Sequence, residues 1–391
     1  MTDMIAGVAA KQSQKGRYRY SWYLVYFCFY LYRCVYSVVG EVVIMRMTPI
    51  SDTTSYQYGH IPNAIANIQL AIANPKIMMQ DASTAMTKLV GGILGAMSGH
   101  DPIFSNLGFQ TIGFIGLVIL LHEIPVRQRM LFLGVLMLPS FTLWSSIASK
   151  ESIVVSCLGI LLAAALRLFL GKKHSIVLFS AALIVLYIFK PHFMIPFIYL
   201  YGLLLVAPYV KQRATLAFIA LGVTLVFLYL FRQEIDEYSR YVDYALGSMG
   251  GRSARPIFLT EQWDTFTKAP IGIYLAFTGP TYDEASNGIL HMFSFVESLF
   301  MLFLLGFMMV RRLPEIPVFS LILVLGTTFW AAFTNYPLGA SNPGTAIRYR
   351  TDWILFLHFG FFLLLSRDRY EDWIRIRLSS VKSKVQNLKQ A

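Results

Sequence analysis

Apolar positions in this chain gather into unbroken blocks rather than alternating or recurring every third or fourth residue. Blocks fall near residues 21–45, 104–121, 130–148, 152–170, 175–189, 192–210, 215–231, 289–310, 317–334 and 352–366. Crossing a hydrocarbon layer roughly 30 Å thick takes a helix of about twenty mostly apolar residues. The pattern therefore predicts an all-α polytopic integral membrane protein with about ten transmembrane helices. Two connections are long, residues 46–103 and 232–288; the other joints are short, as joints between neighbouring helices usually are. Within the first, Ile61, Ile65, Ile68, Leu70 and Ile72 recur at helical spacing. That spacing predicts an amphipathic helix lying on the membrane surface or packed over a cavity.

Composition agrees with the pattern. Of 391 residues 56% are hydrophobic and 14% charged, where a soluble chain carries roughly 25% charged. The three cysteines, Cys28, Cys34 and Cys157, sit in apolar blocks without metal-ligand spacing, so neither a disulfide framework nor a metal is expected. No Gly-rich phosphate loop or internal repeat is visible, and no cofactor is expected. The first twenty residues, "MTDMIAGVAAKQSQKGRYRY", are polar and basic and lack a small-residue cleavage site before a short apolar core. They read as a cytoplasmic tail ahead of an uncleaved first span.

The net charge of +12 changes meaning once its placement is considered. With the N-terminus inside, alternate segments hold Lys11 and Arg17, Arg127 and Arg129, Lys172 and Lys173, Lys211 and Arg213, Arg311 and Arg312. The tail "RDRYEDWIRIRLSSVKSKVQNLKQA", residues 367–391, adds seven more. Positive charge concentrates on the cytoplasmic side of membrane proteins, so ten spans with both ends cytoplasmic are expected. The chain divides into a tail over 1–20, a transmembrane domain over 21–366 and a basic tail over 367–391. The alternating "WIRIRL" would lie on anionic lipid. The charge thus speaks for topology and membrane lipids, against nucleic acid as a partner.

Four short clusters fall on the side where cations are normally sparse: "SDTTSYQYGH" with Asp52 and His60, "PSFTLWSSIASKES" with Lys150 and Glu151, "FKPH" with Lys190 and His192, and "GTAIRYR" with Arg348 and Arg350. A shared anionic ligand would explain them. Guanidinium meets phosphate in a forked, two-bond geometry, and the arginine pair is expected just before the first turn of the last helix, where free backbone N–H groups also favour anions. Blander roles compete: lipid snorkelling for the arginines, helix capping for Ser149, Glu151 and Asp52, a hairpin break at Lys190-Pro191, and an interfacial hydrogen bond for His192. "GRSARP", with Arg252 and Arg255, is expected to be a substrate-gating strand or disordered. Arg33 and Glu297 lie at membrane depth, where charges pair or line a polar cavity, and an ion pair between them is expected.

The succession "SDTTSY", "PSFTLWSSIASKESIV", "IFKPH", "GPTYDEASNGILHMFSFVESL" and "NPGTAIRYR" resembles bacterial envelope-polysaccharide membrane proteins related to O-antigen polymerases and to lipid-linked-sugar glycosyltransferases of the GT-C superfamily. The resemblance covers about residues 20–366. It implies a multi-pass enzyme of the bacterial inner membrane whose periplasmic site takes a glycan from undecaprenyl pyrophosphate or phosphate. Carried over, Arg348 and Arg350 grip the donor's phosphates, Lys150 matches the lysine of the "WSS…KE" turn, and Lys190 the basic residue before proline. Asp52 stands where GT-C enzymes place a first-loop carboxylate. Metal-using members carry two acidic residues there; "ISDTTS" has one, which implies a metal-independent enzyme. The histidine motifs of O-antigen ligases are absent, which implies a polymerase, with a chain-length regulator as its accompanying partner.

The chemistry asks for an electropositive cradle for the departing phosphate and a base for the acceptor hydroxyl. Arg348, Arg350 and Lys150 are expected to form the cradle with Lys190 at its rim. Asp52 is the first choice of base, His60 or His192 the second, and direct displacement inverts the anomeric centre. Glu151, Arg252 and Arg255 complete the expected substrate-binding set. The alternatives are a GT-C transferase moving one sugar from a lipid phosphate, or a flippase for lipid-linked sugars. A membrane acyltransferase using His122 or His174, and a Ser–Lys hydrolase using Ser146 or Ser149 with Lys150, lack supporting motifs.

Overall fold

The computed structural model describes residues 22–44, 52–73, 78–248, 255–286, 288–312 and 316–364, and among them every regular element is helical. Helix α1 (Trp22–Val43) widens into a π-turn over Gly40–Ile44. The first long connection holds α2 (Thr53–Gln57), α3 (Ile61–Ala73) and α4 (Met78–Met97). Helix α3 is the expected amphipathic helix, and Ile65 and Leu70 on it are exposed. Helix α5 (Pro102–Glu123) starts at Asp101, whose carboxylate accepts from the backbone N–H groups of Ile103 and Phe104, an N-cap with proline in the first helical position. Next come α6 (Val126–Leu136), α7 (Pro139–Trp144), α8 (Lys150–Phe169), α9 (Ile176–Phe189), α10 (Met194–Val206) and α11 (Arg213–Leu230). Helix α12 (Arg232–Ser248) continues α11 through Phe231. The second long connection adds α13 (Asp264–Thr267), α14 (Ala269–Thr278) and α15 (Tyr282–Ala285); α16 (Ile289–Arg312), α17 (Val318–Asn335) and α18 (Pro343–Leu364) follow.

Seven segments among the described residues are long and apolar enough to cross a membrane: α1, α5, α8, the stretch Pro191–Tyr209 around α10, α11, α16 and α17. This is a polytopic helical membrane protein. Three expected spans take another form. Helix α9 has fourteen residues, about 21 Å at 1.5 Å per residue. Helix α18 begins at Pro343, ahead of the block expected at 352–366, and carries Arg348, Arg350 and Asp352. The block 130–148 is broken at Pro139, which has no N–H to give the preceding turn, and again over residues 145–149. It nonetheless crosses the bundle, because α5 and α8 run parallel. Glycine Gly116 of α5 lies so close to α8 that an added Cβ would sit 2.2 Å from the Ser156 carbonyl oxygen, and Gly113 faces the Ser152 carbonyl oxygen. Small residues permit such backbone approach in membranes. Glu123 and Arg167, near the far ends of the two helices, pair at 2.7 Å.

Irregular backbone is tolerated at membrane depth only where its polar groups are satisfied by protein or water, and the interruptions here are closed by buried side chains. Arg33 of α1 donates to the Ser145 carbonyl oxygen at 2.6 Å and to its hydroxyl at 3.0 Å. The Ser37 hydroxyl donates to the Ser146 carbonyl oxygen, and the Ala148 N–H to the Asn106 side chain. Glu297 accepts from the N–H of Ser140 at the start of α7. The expected Arg33–Glu297 pair therefore does not form. Arg33 answers the carbonyl of a broken helix, and the ion partner of Glu297 is Arg350 at 3.3 Å.

At the end opposite Glu123 and Arg167, α12–α15 build a cap. Asp243 accepts from the N–H groups of Phe258 and Leu259 and from the Ser341 hydroxyl, and Asp236 from those of Trp263 and Thr265. Arg255, expected in a gating strand or a disordered stretch, is locked. It forks onto Glu284 at 2.6 and 2.7 Å and donates to the carbonyls of Ala340 and Gly279. Arg252 and both tails lie outside the described residues.

Three outcomes follow from this packing. Gly116→Val forces α5 and α8 apart and costs about 1–3 kcal/mol or more, read as a lowered unfolding temperature in detergent. Gly134→Ala, where an added Cβ meets nothing within 4 Å, leaves stability unchanged or raises it. In the cap, burial pushes the Glu284 carboxyl up, but the Arg255 guanidinium and the Thr281 N–H outweigh it and hold it below the usual carboxylate range. A depressed folded-state value means the Arg255–Glu284 contribution is complete above the unfolded value of about 4.3 and is lost as pH falls through the folded one. Proteolytic nicking of 255–286 is thus flat from neutral pH down to about 5 and rises only below about 4, whereas Glu284→Gln raises it throughout.

Candidate functional site

Where α9 stops and α18 begins, charged side chains are buried among the helices. Helix α9 ends at Phe189, and Lys190 follows it, buried. Asp352 is nine residues into α18, about 13 Å along its axis. The N-terminus of α8 meets both: Ser149 caps it by accepting from the Ser152 N–H, which fixes Lys150 and Glu151 in the first turn.

Three carboxylates and three cations converge here from distant parts of the chain. The Lys190 ammonium is hydrogen-bonded to Asp352 and lies 3.7 Å from Glu151, all three buried. Arg348 is 3.1 Å from the other oxygen of Glu151 and 3.4 Å from Asp52. The Tyr349 ring lies under the Lys190 ammonium at 4.1 Å, and Trp144 beside Arg348 at 5.8 Å. Lys150 differs from its neighbours: its ammonium donates to the hydroxyls of Ser83 and Thr84 on α4 at 2.9 and 2.8 Å, and no carboxylate among the described residues lies within ion-pair distance. Neither oxygen of Glu151 nor Oδ1 of Asp352 accepts a hydrogen bond there. The cluster thus holds one cation that no carboxylate among the described residues engages.

Asp52, Lys150, Glu151, Lys190 and Arg348, all expected from sequence, are brought together. Arg350 is not. It follows Arg348 by two residues inside a helix, which turns it about 200° away, and it is fully buried. Its guanidinium donates to the Phe277 carbonyl oxygen and the hydroxyls of Ser140, Ser294 and Ser298, beside Glu297. The two arginines therefore do not form one clamp, nor do they precede the helix: Arg348 is the sixth residue of α18. His192 turns to Asn335 at 3.2 Å. His60 is exposed at the start of α3, and Arg255 belongs to the cap.

Two participants, Asp352 and Tyr349, were missed, and so was a third polar residue, Glu41, which contacts none of the cluster's charged side chains. Asp352 sits four residues after Arg348, the spacing that shares a helix face; placing the helix start at 352 hid it. Tyr349 carried no signal as one of many aromatics. Glu41, in the π-turn of α1, accepts from Gln57 at 2.6 Å and Asn106 at 3.2 Å and has no cation within ion-pair distance among the described residues. Its mark was a carboxylate inside an apolar block, the same mark that singled out Glu297. Among the described residues no three His, Cys, Asp or Glu side chains gather as metal ligands. Compared with protein-family models, curated proteins and solved structures, the chain matches none of them.

Proposed function

We propose that the chain is a membrane glycosyltransferase of the polysaccharide-polymerase type, joining glycans from an undecaprenyl-pyrophosphate donor at the periplasmic face of a bacterial inner membrane. The observation that carries the reading is the charge cluster itself. It gathers Lys150 from the start of α8, Lys190 from the joint between α9 and α10 and Arg348 from the second turn of α18, and Lys150 is held only by hydroxyls. A lipid phosphate is an anion already anchored in the membrane, and Lys150 is the cation of the cluster that no carboxylate among the described residues already holds.

In this reading the donor phosphate meets Lys150 and displaces Asp52 from Arg348, the most exposed of the cluster's contacts. Asp52, whose side chain is 58% exposed, then takes the proton of the acceptor hydroxyl. That oxygen bonds to the anomeric carbon from the face opposite the leaving phosphate, the carbon–oxygen bond to phosphate breaks, and its charge settles on Arg348 and Lys150. Glu151 and Asp352 hold the cations in place, and Arg350 is structural. The GT-C kinship, the metal-free chemistry, the chain-length regulator and the cytoplasmic tails belong to this same proposal. A second reading has one observation in its favour: Lys190, Asp352 and Glu151 form a buried titratable network, which carriers use for coupling. It makes the protein a flippase for lipid-linked sugars.

Purified protein with a lipid-linked oligosaccharide separates the two. Polymerisation gives a ladder of products; flipping moves a fluorescent lipid-linked sugar between leaflets of a vesicle and leaves it unextended. Lys150→Ala and Arg348→Ala each lower ladder formation about 100-fold or more while the protein stays folded. Arg350→Ala strands the buried Glu297 charge and costs about 3–5 kcal/mol of stability, so its loss appears in membrane yield. Normal extension by Lys150→Ala or Arg348→Ala would overturn the proposal.

A further inference from the structure

Where α11 passes into α12, a cavity of about 360 Å³ is lined by Leu225, Leu228, Tyr229, Arg232, Trp263 and Phe266. Its floor is apolar and belongs to the candidate span that is least covered by protein, with 6% of its residues buried. Its rim is Arg232, half-buried between the Tyr229 ring at 4.3 Å and the Trp263 ring at 5.5 Å. One guanidinium nitrogen, Nη1, donates to the Tyr229 carbonyl oxygen at 2.8 Å; Nε and Nη2 have no partner among the described residues.

No carboxylate among the described residues lies within ion-pair distance of this arginine. The nearest along the helix face, Asp236, is engaged by Arg240 and by the N–H groups of Trp263 and Thr265. Trp263 stands in the left-handed region at φ 75°, a conformation costing a residue with a side chain of order 1–3 kcal/mol and concentrated at ligand sites. The Asp236 bond to its N–H holds it there, and the result is an indole facing Arg232 across the cavity.

We propose that this cavity binds the headgroup phosphate of an anionic membrane phospholipid. Arg232 meets the phosphate through Nε and Nη2, the fork that suits two oxygens, with Tyr229 and Trp263 stacked on the guanidinium plane. The glycerol and first acyl methylenes lie on Leu225, Leu228 and Phe266. Position selects the occupant: the floor faces hydrocarbon and the rim lies at the end of a span, where a phospholipid presents phosphate above methylene. The site does not depend on the transfer reaction.

The test uses full-length protein reconstituted in phosphatidylcholine, titrated with phosphatidylglycerol brominated near the headgroup. The readout is quenching of the Trp263 component of fluorescence, taken as the difference between wild type and Trp263→Phe. Wild type is quenched at low mole fractions of phosphatidylglycerol, and Arg232→Gln shifts half-quenching about 10-fold, equivalent to about 1.4 kcal/mol. Arg232→Lys does not restore it, because an ammonium keeps the charge and loses the fork and the stacking. Equal quenching by brominated phosphatidylcholine overturns the proposal, as does an unshifted Arg232→Gln. Competition by millimolar inorganic phosphate identifies an aqueous anion site and overturns the lipid assignment. If Arg232→Gln fails to fold, the wild-type comparison of the two lipids decides alone.

Discussion

Every backbone N–H and C=O inside a bilayer must find a partner, and no water is present to supply one. That constraint explains more of this molecule than any other. An uninterrupted helix meets it alone, but this chain interrupts its helices at Pro139, over 145–149, at Lys190-Pro191 and at Gly279. Each break frees carbonyls or amides that something must answer. Arginine suits the task because its five donors radiate from one rigid plane. Arg33 closes the gap at Ser145, while Arg350 spans Phe277 and three serine hydroxyls and neutralises the Glu297 that caps α7. Charges that look functional by depth alone are here the fastenings of broken helices.

The breaks in turn bring the charges together. Ion pairs exposed to water contribute little. Because α9 stops after fourteen residues and α18 starts at Pro343, Lys190 meets Glu151 and Asp352 inside the protein, where all three are buried. Burial without partners would be prohibitive for single charges, so Lys190, Glu151 and Asp352 stay together.

Much of the scaffold was legible in the sequence because apolar block length is a direct readout of membrane thickness. The seven clear spans follow from it, and the helix at Ile61–Ala73 follows from the spacing of its isoleucines. Block length carries no information about interruptions, which is why 130–148 read as one helix despite Pro139. The cluster was legible as a list of residues on one side, though not as a geometry. Arg348 and Arg350 read as a pair because they are neighbours in sequence, yet helical neighbours share a face at three or four residues, not two. Shifting the start of α18 to Pro343 reassigns all three charges at once: Arg348 and Asp352 to the cluster, Arg350 to the fastening. Arg255 was misjudged because its fixed partner, Glu284, lies far along the chain in a segment without periodicity.

The charge balance of the cluster bears on the proposed transfer. Arg348, Lys190 and Lys150 stand with Asp52, Glu151 and Asp352, so in that proposal the donor phosphate does not enter an empty positive basin; it exchanges with a carboxylate already present. Glu151 and Asp352 cannot leave, because moving a buried carboxylate away from its cations costs several kcal/mol. Asp52 can. Its side chain is more than half exposed and its contact with Arg348, at 3.4 Å, is of the solvent-screened kind whose contribution is small. The least tightly held contact is therefore the one between Asp52, ahead of α2, and Arg348 of α18. In the proposed transfer a donor entering there finds Arg348 released on one side, Lys150 held by hydroxyls on the other, and a freed carboxylate beside it.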